Sequence, residues 1–78
     1  MNVHQVRIAI EAIDEMVRDD LAGGRAARTS DEMMPELHHG GVVLPSVNPK
    51  SWVQGVRSAI IFNRGGSAAL TPSDDPDV

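Results

Sequence analysis

The sequence predicts an all-α fold, a small three-helix domain, and three observations carry that reading. Apolar residues recur at helical spacing from Val3 to Leu21. Gly-Gly pairs at 23–24, 40–41 and 65–66 each follow a segment suited to a helix. Asn48-Pro49 has the form of a helix start. Glycine just past a helix end takes the left-handed conformation that closes the last turn. The pairs therefore divide the chain into a long N-terminal helix, a short middle helix and a third helix around Trp52.

The first helix is expected over residues 3–22. Val3, Val6, Ile10, Ile13, Val17 and Leu21 form a stripe at spacings of three and four. Asn2 and Gln5 stand as a capping box does, each side chain placed to bond the other's backbone N–H. Arg7 with Glu11 and Asp14 with Arg18 are spaced to pair one turn apart. Ile8, Ala9, Ala12 and Met16 broaden the apolar surface enough for two neighbours.

The middle helix begins after the loop "GGRAAR". Thr29 or Ser30 suits the N-cap, and Asp31 and Glu32 suit the positive end of the helix dipole. Pro35 leaves two arrangements open, because it disfavours helical geometry at Met34. Either the helix starts near Asp31 with Pro35 in its first turn, or it is a single turn from Pro35 to His39.

"GVVLPSV" (41–47) is β-branched and interrupted by Pro45, which fits an extended connector or a short edge strand. Asn48 as N-cap and Pro49 at the first position then start the third helix. Its stripe is Trp52, Val53, Val56, Ala59 and Ile60, although "AIIF" (59–62) also suits a buried strand. Residues 1–70 form one domain on this reading, with Leu70 as a last anchor. Residues 71–78 form an acidic, proline-containing tail.

The chain carries a net charge of −4, unevenly spread. Residues 1–36 hold eight acids and four arginines, and residues 37–73 hold Lys50, Arg57 and Arg64 without an acid. Opposite charge in the two halves favours packing of the first helix near the third, within one chain or between chains, or attachment of the tail to the basic half of a neighbouring subunit, unless each half is an ordinary solvated face. Asp19 and Asp20 sit in the last turn of the first helix, where acids oppose the dipole. Such a violation marks either a tolerated surface acid or contact with a basic partner. Six of the seven basic residues are arginine, a bias expected of a GC-rich bacterial or phage genome.

Little in the chain points to catalysis. Cysteine is absent, which excludes disulfides and thiolate metal sites. His38-His39 are adjacent, so their side chains diverge by about 100°, whereas paired helical ligands stand four residues apart. The histidines are better placed to serve the carbonyl end of the middle helix. No serine lies in a strained elbow of the G-x-S-x-G kind. "NRGGSAA" lacks a phosphate-loop lysine. An acidic chain with Trp52 and Phe62 as its only aromatics lacks the basic patch and stacking platform of a nucleic-acid binder.

No motif covers enough of the chain to place it in a family. A chain this short buries only about 60% of its unfolded surface, and without disulfides or metal it gains stability from partners. The expected function is a non-enzymatic protein-interaction or structural subunit, homo-oligomeric and of bacterial or phage type, which buries apolar helix faces against itself or a larger partner and needs no cofactor. The interface candidates are Ile8, Met16, Asp19, Asp20, Met33, Met34, Trp52, Arg57 and Phe62. The alternative is a small acidic regulatory or inhibitor protein for a basic site of nucleic-acid-processing or host-defence machinery. In that case the acids of the first helix and tail, or Arg25, Arg28, Arg57 and Arg64, make the contact. The N-terminal segment lacks a basic leader and its apolar residues are interrupted by charge, so neither a signal peptide nor a membrane span is expected. The expected location is the cytoplasm.

Overall fold

The computed structural model of the chain describes residues 1–64. These residues fold into three helices, α1 (Val3–Ala22), α2 (Ser30–His39) and α3 (Pro49–Asn63), with no strand among them. Leu70, the acidic tail and the third glycine pair lie outside the described residues.

α1 starts at the expected capping box. Gln5 N–H donates to Asn2 Oδ1 at 2.8 Å, and Asn2 N–H to Gln5 Oε1 at 3.0 Å. α2 takes the first of the two expected arrangements, a start near Asp31, but with Pro35 beyond its first turn. It begins at Ser30, with Thr29 as N-cap in a second capping box closed by Glu32. Pro35 therefore lies at the sixth helical position, and the Asp31 carbonyl has no N–H four residues on. The capping box and the burial of Met33 outweigh that lost bond and the pre-proline preference at Met34.

Residues 40–48 form no strand. Val42 and Leu44 lean on the core while Val43 and Val47 face outward, so the connector alternates as extended chain does without pairing. The expected cap at Asn48 takes another form. Its side chain makes no cap bond, and the residue instead adopts the left-handed conformation (φ 50°, ψ 52°) that reverses the chain before Pro49. Asparagine is among the residues that tolerate this region. "AIIF" is helical.

The core consists of Ile13 and Val17 from α1, Ala27 from the loop, Met33 and Leu37 from α2, and Val53 and Ile61 from α3. Met16, Met34, Trp52, Val56 and Ile60 are half-buried against it. Only the C-terminal part of the expected α1 stripe enters this core. Ala9, Ile13, Val17 and Asp20 are buried, whereas Val3 is 78% exposed and Ile10 38%. Among the described residues α3 ends beside the middle of α1, where Arg64 meets Asp14, and α1 is also the longer helix. α1 has 20 residues and α3 has 15, so at 1.5 Å per residue α1 is longer by about 7 Å, nearly a turn and a half.

Candidate functional site

Charge dominates the corner where α1 turns toward α2. Arg28 grips Asp20 with two parallel bonds, Nε to Oδ2 at 3.0 Å and Nη2 to Oδ1 at 2.9 Å. Its backbone N–H adds a third bond to Oδ2 at 2.8 Å. The remaining guanidinium nitrogen, Nη1, reaches both oxygens of Glu36 on α2, at 2.9 and 2.7 Å. Arg57 on α3 completes the corner from the other side. It donates from Nε to the Arg28 carbonyl at 2.6 Å and from Nη2 to the Ala27 carbonyl at 2.9 Å. One loop residue, Arg28, is thereby tied to all three helices.

Asp20 is only 4% exposed and Arg57 8%, so these interactions act with little competing water. The Arg28 hydrogen bonds hold the Asp20 carboxyl well below the usual carboxylate range, against burial, which pushes it up. The Arg28 amide and charge, and Arg25, add to the lowering. The same pairing raises the Arg28 pKa. Burial lowers that of Arg57, partly offset by the charge of Glu32. Among the described residues no buried side-chain nitrogen or oxygen lacks a hydrogen-bond partner. The corner's donors and acceptors are bound to one another, an arrangement suited to fixing the fold.

The acids that oppose the α1 dipole thus divide in role. Asp20 finds its basic partners, Arg25 and Arg28, within the chain, while Asp19 is exposed. Three of the nine interface candidates, Asp20, Met33 and Arg57, are buried inside the domain and offer no outer surface. Met33 is core because its position at one face of α2, four residues from Leu37, turns both inward. Met16, Met34 and Trp52 are half-buried. Ile8 and Phe62 are 41% and 71% exposed.

The four arginines of the nucleic-acid alternative are likewise engaged. Arg25 and Arg28 bind Asp20, Arg57 binds backbone carbonyls, and Arg64 meets Asp14 at 2.8 Å. The Arg64–Asp14 pair joins the end of α3 to the middle of α1, one of the arrangements that the charge layout left open. His38 and His39 are exposed in the last turn of α2. The closing bonds there come from the amides of Gly40, Gly41 and Val42, so backbone groups rather than the imidazoles close the helix. No group of three or more His, Cys, Asp or Glu residues among the described residues is arranged to hold a metal ion.

Among the described residues, large apolar side chains are exposed on the N-terminal half of α1, at Val3, Ile8 and Ile10, and also at Val43, Val47 and Phe62. Val3, Val6, Arg7, Ile10 and Glu11 line a shallow groove of about 480 Å³. The sequence places Val3, Val6 and Ile10 on the apolar stripe of α1 and spaces Arg7 and Glu11 so that they can pair. Arg18–Asp14 forms at 3.1 Å, but Arg7 and Glu11 make no ion pair among the described residues. Among the described residues the α1 stripe outruns α3, whose end meets the middle of α1 at Asp14.

No family model, curated protein or solved structure matches the chain. Among the described residues no helix is long and apolar enough to cross a membrane.

Proposed function

We propose that the protein is a small non-enzymatic structural or interaction subunit that assembles with copies of itself through an apolar helix face, in the cytoplasm or particle of a bacterial or phage system. The observation that carries this reading is the exposure of Val3 and Ile10 on the helix whose other half builds the core. Apolar side chains aligned along one face gain stability when covered, at about 25 cal/mol per Å². The charged corner supports the same reading, because its groups are spent on rigidity. A rigid helix presented at low entropic cost makes a good assembly surface.

Light scattering of the full chain across a dilution series tests this. The expected result is a mass of at least twice that of the chain at high concentration, falling on dilution. A chain that is folded and monomeric at every concentration overturns it.

A second reading rests on Glu15 and Asp19, exposed acids of α1 that make no ion pair among the described residues. They would suit an acidic inhibitor or regulator that occupies a basic site on a larger protein. Binding of that kind weakens steeply with salt, whereas apolar assembly does not.

A further inference from the structure

We propose that the second copy docks on the groove of α1 itself, the two α1 helices lying antiparallel about a two-fold axis so that Arg7 of each chain meets Glu11 of the other. The proposal rests on the self-assembly reading and specifies its surface and geometry.

Three features lead to it. The groove is lined by Val3, Val6 and Ile10, which follow one another at three and four residues and so form one continuous ridge. Arg7 and Glu11 stand one turn apart along a single edge of that ridge and line the same groove. Both are without an ion pair among the described residues, although their spacing permits one within the helix.

Symmetry then selects the occupant. A two-fold interface brings the same patch of both copies together, so each charge needs its opposite within the same patch. When two helices pair antiparallel, the same edge of each faces the other. Arg7 and Glu11 on one edge are self-complementary in that arrangement, since one contact is repeated twice. Parallel pairing would set this edge against the opposite one, where Ala9 and Ile13 are buried inside the chain. The charges would then face no partner. The patch thus carries both halves of the recognition, which a surface shaped for a different protein does not require.

The test uses the full chain with Arg7→Glu, Glu11→Arg, the double reversal R7E/E11R, and Ile10→Asp. Association is followed by light scattering over a dilution series, and helix content by circular dichroism. Each single reversal creates two like-charge contacts per dimer and is expected to weaken association about tenfold or more. The double reversal restores it to within about threefold of the wild type, and I10D abolishes it while the helices persist. A wild-type chain that does not associate overturns the self-assembly reading itself. A wild-type chain that associates equally well with all four variants leaves that reading standing and overturns this interface. Single reversals that weaken association without rescue by the double overturn the antiparallel pairing.

Discussion

After α1 the chain turns through Gly23-Gly24-Arg25, and after α2 it turns through Gly40-Gly41-Val42. The second glycine has φ +75° in the first turn and +73° in the second. Each turn closes with the same pair of backbone bonds. Arg25 N–H donates to the Asp20 carbonyl and Gly24 N–H to that of Leu21, at 2.9 and 3.0 Å. Val42 and Gly41 donate likewise to Leu37 and His38, at 3.0 and 3.1 Å. The side chains that accompany this motif are usually an apolar pair. Leu37 and Val42 are such a pair, both packed on the core. In the first turn the same two positions are Asp20 and Arg25, joined as an ion pair at 3.4 Å. The backbone solution is therefore independent of the side chains. What the charged version adds is reach, because Asp20 also holds Arg28, and Arg28 holds α2 and is held by α3.

That difference predicts unequal responses to truncation. Asp20→Asn leaves Arg28 with Glu36, an exposed partner, as its only carboxylate, and deprives a buried site of its charge. Breaking a buried pair costs about 3–5 kcal/mol, out of a total of order 0.1 kcal/mol per residue for a domain of this kind. Leu37→Ala removes core volume at the apolar turn and costs about 2–5 kcal/mol. Urea denaturation followed by circular dichroism is expected to show D20N at least as damaging as L37A. A loss below about 1 kcal/mol for D20N would reduce the charged corner to an ordinary surface pair.

Acid separates the two turns further. The Asp20 carboxyl is held below its ordinary value, so the folded state favours the ionised form. Its contribution is complete above the unfolded value near ~4 and is lost as pH falls below that toward the lower folded value. Between about pH 5 and pH 2 the wild type is expected to lose about 2 kcal/mol through this group. The L37A chain should show the same loss and D20N should lack it. Equal acid sensitivity in wild type and D20N would show that other carboxylates carry the effect.

How far these features could be read in advance differs between backbone and surface. The helix count, the Asn2–Gln5 box and the glycine-terminated ends of α1 and α2 follow from local rules, and local rules hold wherever the backbone must satisfy its own N–H and C=O groups. The Thr29–Glu32 box is equally local, and its spacing is plain once Pro35 ceases to draw the eye. Arg57 was not legible. It stands at i+4 from both Val53 and Ile61, on the buried stripe. Its burial becomes understandable only when the carbonyls of Ala27 and Arg28, some 30 residues earlier, arrive beside it. Which part of the α1 stripe the core covers was not legible for a similar reason. The α1 stripe continues unbroken from Val3 to Leu21, and nothing in its periodicity says where α3 ends.

The shared backbone has its own test. No atom lies within 4 Å of a Cβ added at Gly24 or at Gly41. Alanine at either site therefore meets only the left-handed backbone penalty, about 1–2 kcal/mol. Gly24→Ala and Gly41→Ala are expected to destabilise equally, within about 0.5 kcal/mol, although one turn is charged and the other apolar. A difference above about 1 kcal/mol would show that side-chain chemistry reaches the backbone after all.

The smallest expected effect separates burial from charge. Lys50 and Asp31 approach to 2.5 Å, closer than either bond from the Arg28 guanidinium to Asp20, yet their side chains are 55% and 72% exposed. If proximity of opposite charges were what stabilises the first turn, Lys50→Ala should rival D20N. Water screens the exposed pair, and holding the two side chains in one geometry costs rotamer freedom, so exposed pairs contribute about 0–1 kcal/mol. Lys50→Ala is accordingly expected to shift stability by less than about 0.5 kcal/mol. A loss of several kcal/mol would move the explanation of the Asp20 corner from its burial and its three-helix connectivity to charge alone.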